Sequence, residues 1–187
     1  GVETDIIDFG KQSPMDMDRI ADTLRADTAH EIKAILATHV DTSSSIRNDI
    51  SGLRKVLDTL EHPALLMADC IASLGCDVFE MDAWAGCQKG LMVPPGMAFV
   101  FFNDRAEAAR GALPRVSWYW DWTPRAHPQE FFQYHAGTAP THHLYGLRTA
   151  LNMIHEEGIE QVWARHRVLA RAVWAACEAW GQSGSFA

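Results

Sequence analysis

Three short apolar runs, spaced by helical stretches, constrain this chain most. Residues 31–40 (EIKAILATHV) form a β-branched run of strand length. Residues 64–68 (ALLMA) are continuously apolar, the pattern of a strand buried on both faces. Residues 97–102 (MAFVFF) form a third such run. Between the first two, the polar loop DTSSSIRND leads to a helical repeat of Ile50, Leu53, Val56, Leu57 and Leu60. Asp49 is placed to cap that helix and Pro63 to stop it. The rhythm strand, helix, strand, crossover, strand, helix predicts an α/β fold with a mostly parallel sheet flanked by helices. Ligands of such sheets sit beyond the carboxyl ends of the strands. Here those ends carry residues 39–45 and 69–73, with the Gln88 and Lys89 loop nearby.

The flanking segments read less regularly. Residues 2–9 alternate loosely and predict an edge strand, after which Ser13 and Pro14 start a helix with Met17, Ile20, Ala21 and Leu24 on one side. Asp104 is placed to cap a short helix, RAEAARGAL. From 111 to 140 four prolines interrupt a segment crowded with Trp118, Tyr119, Trp120, Trp122, Phe131, Phe132 and Tyr134. A subunit interface is a natural place to bury so many rings. Beyond Pro140, Leu144, Leu147, Leu151 and Ile154 recur at helical spacing up to Gly158. A second helix carries Ile159, Val162, Trp163, His166, Leu169, Ala170, Val173, Cys177 and Trp180 on one face, with Gly181 closing it.

Composition excludes several classes of function. With 187 residues, 48% of them apolar, the chain can bury a core as one domain. A net charge of −8 disfavours nucleic acid as a partner, and Arg165, Arg167 and Arg171 read as a solvated helix face. No apolar stretch reaches membrane-spanning length, since ALLMADCIASLG carries Asp69 in its middle. The first residues, GVETDIIDFG, show no signal-peptide pattern. Cys70, Cys76, Cys87 and Cys177 form no C-x-x-C pair and read as reduced thiols of a cytoplasmic protein. His39, His135, His142, His143, His155 and His166 lack metal-ligand spacing and read as surface or satisfied core residues. Ser73 and Ser117 lack the surroundings of a hydrolase nucleophile.

Three features nevertheless share an order that carries chemistry. Asp69 ends a strand, Lys89 sits between a small-residue turn and a double-proline turn, and Thr42, Ser43, Ser44 and Ser45 follow the preceding strand. Pyridoxal 5'-phosphate requires a lysine amine, a carboxylate for its ring nitrogen and donors for its phosphate. A parallel sheet can gather all three at one edge.

The stretches ATHVDTSSSIRNDI, ALLMADCIASLG, MDAW, AGCQKGLMVPPG and EEGIEQVWARH together resemble the class V aminotransferases, a branch of the type I fold of pyridoxal phosphate enzymes. The likeness is strongest to the alanine–glyoxylate and serine–glyoxylate aminotransferase branch. It implies that Lys89 binds the cofactor covalently and that Asp69 pairs with its ring nitrogen. Ile71 would pack on the ring, and Gln88 would contact the phosphate. Thr42 occupies a hydroxyl position of the family's loop, with Ser43 the next choice. Tyr134 or His135, together with Thr138, would reach the phosphate in the neighbouring subunit of a homodimer. Residues 1–140 would then be part of the large cofactor-binding domain, with 111–140 the dimer contact. Residues 141–187 would be a helical segment leading toward a small C-terminal domain. The implied substrates are a small amino acid, alanine or serine, and a 2-oxo acid, glyoxylate or pyruvate.

The resemblance has departures. The stretch corresponds to neither the family's Gly/Ser-rich phosphate turn nor the small domain that supplies the substrate-binding arginine. Trp84 also runs directly into Ala85, Gly86 and Cys87, where the family places a strand. The expectation is that a short strand is missing there and that Lys89 would not reach Asp69 without it: either the chain is a fragment with an internal deletion or, the favoured reading, the sequence records only the ordered part of a longer protein, and a chain of only these residues would be inactive and poorly stable. Rival readings are a pyridoxamine–pyruvate transaminase, a lyase or desulfurase (disfavoured by Gln88 where desulfurases carry His), and a non-catalytic dimerising remnant.

Overall fold

A computed structural model describes residues 3–79 and 84–182. In chain order the elements are α1 (Met17–Ala26), β1 (Ala34–Thr38), α2 (Ile50–Thr59), β2 (Leu65–Asp69), β3 (Trp84–Gly86), β4 (Ala98–Val100), α3 (Asp104–Gly111), α4 (Thr123–Ala126), a 3-10 turn (Phe131–His135), α5 (Thr141–Glu157) and α6 (Ile159–Gln182). The four strands form one sheet in the order β1-β2-β3-β4. β1 and β2 run parallel from Ala34 opposite Leu65 to Thr38 opposite Asp69. β3 joins β2 in parallel through Asp69 and Trp84, and β4 closes the sheet antiparallel to β3. The mostly parallel α/β architecture is thus present.

The larger core cluster lies on one face of this sheet, and a smaller one joins Cys87 and Val93 to Ala150 of α5. Ile20 and Leu24 of α1 and Ile50, Leu53 and Leu57 of α2 pack on Ala37, Ala64 and Ala68. Leu53 and Leu57 are completely buried, each worth about 1.5–3 kcal/mol relative to an exposed side chain. The small alanines of the sheet let the helices approach it closely. The opposite face is open: Leu36 is 68% exposed and Met67 44%. The expectation that residues 64–68 are covered on both faces is therefore corrected, because no element of the described residues packs over Leu36 and Met67.

Local chemistry corrects four other expectations. Residues 3–9 make no strand, and Val2 lies outside the described residues. The cap of α1 is Asp16 rather than Ser13; its carboxylate accepts from the Asp18 and Arg19 N–H groups, while Asn48 holds the Met15 N–H at 2.9 Å, ahead of the helix. Asn103, not Asp104, caps α3 by accepting from Ala106 at 3.1 Å, which leaves Asp104 in the first turn, where the helix dipole favours it. Gly181 lies within α6, which continues to Gln182; one glycine in a last turn costs only about 1 kcal/mol. Asp49 does cap α2, accepting from Gly52 at 2.8 Å. Gly158 breaks α5 from α6 at φ 85°, a backbone angle that suits glycine.

Candidate active site

Lys89 sits on a loop that its own side chains and backbone cinch shut. Cys87 N–H donates to Met97 O at 3.3 Å and Val93 N–H to Cys87 O at 3.0 Å. The Cys87 thiol, fully buried, donates to Pro94 O at 3.1 Å. At the far side of the loop, the Pro95 carbonyl lies 3.1 Å from Nε2 of His143, on α5. Two glycines make the packing possible. A Cβ on Gly96, at φ +149°, would run into the His143 ring. A Cβ on Gly90 would collide with Leu74 O and stand 2.7 Å from Cys76 Sγ. The lysine loop is therefore pressed by a bare backbone against the turn that follows β2.

That contact aims the lysine. Its Nζ donates to Thr42 Oγ1 at 2.7 Å, across 47 positions of sequence. Thr42 lies in a loop closed by a bridge between Val40 and Arg47. Asp41 organises the loop: its carboxylate accepts from Ser43 N–H at 3.0 Å, from the Ser43 hydroxyl at 2.9 Å and from the Ser44 hydroxyl at 2.5 Å. These bonds, the Ser44 hydroxyl first, hold the Asp41 carboxyl down at about 2, below its ordinary 3.8. Asp69 ends β2 directly opposite Thr38, at the carboxyl edge from which the Thr42 loop departs. Asp69 Oδ1 accepts from Ile71 N–H at 2.9 Å, and its backbone carbonyl accepts from His39 N–H at 2.8 Å.

The structure joins some of the predicted residues and separates others. Lys89 and Thr42 touch, and Asp69 lies at the same carboxyl edge of the sheet, one strand from the Thr42 loop. Ile71 is half-buried in the turn after Asp69. Ser43 spends its hydroxyl on Asp41. Gln88 is exposed and folds over Gly86, where a Cβ would strike its side-chain oxygen. Tyr134 and His135 lie elsewhere, on the 3-10 turn with their rings beside Phe131, and Thr138 follows them, exposed. The strand expected to be missing is present in shortened form, since Trp84–Gly86 itself pairs with both β2 and β4. The lysine loop is thereby delivered to the Thr42 loop without additional residues.

One constellation escapes a reading of the sequence. His39, 4% exposed, places Nδ1 2.8 Å from the Ser73 hydroxyl. Its Nε2 is 3.9 Å from Asp77, which pairs with Arg47 at 2.6 Å. Burial pushes the ring's pKa down against the pull of Asp77. Its only signal in the sequence is position, directly after a strand and three residues before Thr42.

The donor set fits pyridoxal phosphate. A partly exposed primary amine is bonded to a neutral hydroxyl, a carboxylate ends the adjacent strand with one oxygen held by the backbone, and glycine keeps the approach to the loop narrow. Lys89 and Asp69 are the residues that would hold the group, with Thr42 beside the amine. Among the described residues no cluster of three or more His, Cys, Asp or Glu could hold a metal ion.

Comparison with known proteins points the same way. Over residues 1–182 the chain matches the family model for aminotransferase class V. It is 40% identical over 177 residues to a serine–glyoxylate aminotransferase of Methylorubrum extorquens, covering 88% of this chain and 43% of that protein. It is also 40% identical over 172 residues to an L-aspartate–glyoxylate aminotransferase of Paracoccus denitrificans, covering 88% of this chain and 43% of that one. The solved structure of an alanine–glyoxylate aminotransferase from Nostoc sp. superposes with a TM-score of 0.75 at 26% identity, over 90% of this chain and 46% of that one. A pyridoxamine–pyruvate aminotransferase from Mesorhizobium loti gives 0.73 at 30% identity, over 85% and 42%. The chain thus spans less than half the length of these relatives. With that family match and the lysine, carboxylate and hydroxyl gathered at one sheet edge, the chain belongs to the class V aminotransferase family.

Proposed function

We propose that the chain is the cofactor-binding part of a pyridoxal phosphate-dependent transaminase. It would move an amino group from a small amino acid, alanine or serine, to glyoxylate or pyruvate. The observation that carries this reading is the 2.7 Å bond from Lys89 Nζ to Thr42, at the strand edge that Asp69 terminates. The similarity to serine–glyoxylate and L-aspartate–glyoxylate aminotransferases supports the choice of acceptor.

Pyridoxal phosphate, when bound, supplies an electron sink for charge developing at the substrate α-carbon. The chain's own residues do the rest. Lys89 Nζ would hold the cofactor, and its free amine would serve as the general base that takes and returns the substrate α-proton. Thr42 steadies that amine from the side. Asp69 would keep the proton on the ring nitrogen by a charge-assisted hydrogen bond, which would keep the sink effective. Gln88 and Thr42 supply polar contacts, Ile71 an apolar one. Residues 1–140 act as part of the large domain, and 141–187 as the helical segment beyond it. The exposed rings of 111–140 support a homodimer in which Tyr134 or His135, with Thr138, serves the partner's site; the unpaired cysteines support a cytoplasmic setting. Similarity to pyridoxamine–pyruvate aminotransferase supports a second reading, in which free pyridoxamine is the amine donor.

The test is covalent trapping. The 187-residue chain is incubated with pyridoxal phosphate, reduced with borohydride and digested. The expected adduct sits on Lys89, and Lys89→Ala loses it. Equal trapping in that variant would overturn the reading. Yellow absorbance that disappears on adding serine or alanine identifies a transaminase; with pyruvate present, turnover of free pyridoxamine but of neither amino acid identifies the second reading.

A further inference from the structure

At the base of the loop that carries Thr42 lies a buried polar pair that the proposed chemistry does not use. His39 directly follows β1, and Ser73 stands four residues past Asp69 and is 2% exposed. Their 2.8 Å contact spans 34 positions of sequence. Two buried polar side chains are costly unless they satisfy each other, so this contact is maintained as a pair.

The pair joins two loops whose other links are the Arg47–Asp77 ion pair and a backbone bond from His39 to Asp69. On one side, His39 N–H donates to Asp69 O, and His39 O accepts from Asn48 N–H at 2.7 Å, closing the base of the loop that carries Thr42. On the other, the Ser73 and Leu74 N–H groups both donate to Cys70 O, at 3.1 and 2.9 Å, winding the turn that begins at Asp69. Leu74 then presents the carbonyl against which Gly90 rests. The contacts close a ring: Thr42 to His39 along the chain, His39 to Ser73, Ser73 to Leu74, Leu74 to Gly90, and Lys89 back to Thr42.

We infer that His39 and Ser73 are positioning residues that set the separation between Asp69 and the Lys89–Thr42 contact. Neither reaches the reacting atoms; both act through the loops they join. The consequence for chemistry rests on the pyridoxal phosphate reading, whereas the geometric consequence does not.

The experiment compares the full chain with His39→Phe, His39→Asn and Ser73→Ala, by amide hydrogen exchange and by borohydride trapping. Phenylalanine keeps a ring but no hydrogen bond. Asparagine can place an amide where Nδ1 stands. Ser73→Ala removes one oxygen and keeps every carbon; it breaks the same contact and the longer one to Cys70 O, and its urea midpoint, read alongside, separates lost stability from lost positioning. In His39→Phe and Ser73→Ala, exchange in residues 40–47 and 87–92 is expected to rise about tenfold, with α2 unchanged. The rate of trapping at Lys89 should fall about tenfold in the same variants, and His39→Asn should restore much of both. Exchange that rises evenly through α2, without rescue by asparagine, would mean a purely structural pair and would overturn the inference. So would variants that match the parent in both measurements. If the parent itself fails to trap cofactor, the pyridoxal phosphate reading falls, and the exchange data alone decide the positioning role.

Discussion

The sheet region and the region beyond residue 111 solve the burial problem differently. In the first, α1 and α2 lay a complete apolar stripe on one sheet face, and Lys89 is bonded to Thr42 and Asp69 to the Ile71 N–H. In the second, Ala150 and Val162 are the buried apolar residues of α5 and α6 among the described residues. Leu169, Val173 and Trp174 are 56–65% exposed, and Trp118, Trp120 and Phe131 68–74%. Two indole N–H groups, of Trp122 and Trp163, are buried without a hydrogen-bond acceptor among the described residues. Each such orphan costs about 1–3 kcal/mol. The site residues Asp69, Thr42 and Lys89 all belong to the finished region. The unfinished one presents the kind of surface that another polypeptide covers, which is the role the proposed homodimer assigns to it.

The largest effect should come from the core of the finished region. Leu53→Ala should lower unfolding free energy by about 2–5 kcal/mol, read from urea denaturation. Trp174→Ala, in the open region, should shift the same transition by no more than about 0.5 kcal/mol. Similar losses from both would erase the contrast. Next, Asp69→Asn should leave the urea midpoint unchanged, since an amide oxygen can still accept from Ile71. If cofactor is held as proposed, turnover should nevertheless fall about a hundredfold or more with cofactor retained. Unchanged turnover would remove Asp69 from the ring-nitrogen role.

A smaller effect belongs to the lysine loop. Gly90→Ala must push the loop off Leu74, and the rate of trapping at Lys89 should fall about tenfold while α2 keeps its exchange protection. The smallest is a response to acid confined to one loop. Because the Asp41 pKa is depressed from 3.8 to about 2, its contribution to stability is complete above pH 4 and fades as pH falls toward 2. Exchange in residues 40–47 should accelerate over that window, and Asp41→Asn should remove the pH dependence. A loop indifferent to pH in the parent would show that the serine hydroxyls do not bind the carboxylate.

What the sequence showed and what it hid follow from the range of the interactions. β1, β2, the Asp49 cap and the Gly158 break were legible because each depends on neighbours within a turn or a strand. The Asp16 and Asn103 caps were misjudged because several side chains in each segment could accept the same N–H, and tertiary contacts, such as Asn48 on Met15, decide between them. β3 was invisible since three residues carry no period. The open face of β2 was missed because a continuous apolar run does not reveal which partners are present to cover it. At the site, motif order and family resemblance singled out Lys89, Thr42 and Asp69, of which Lys89 and Thr42 touch. The His39–Ser73 pair was not, since nothing in either local pattern announces a bond across 34 positions.

The shortness of β3 has a mechanical consequence. A strand that meets its parallel neighbour at one residue pair is a slender mooring for a reactive amine. The tether bears instead on a glycine lying flush with the opposing backbone, so the amine owes its station to that close approach more than to the length of the strand behind it.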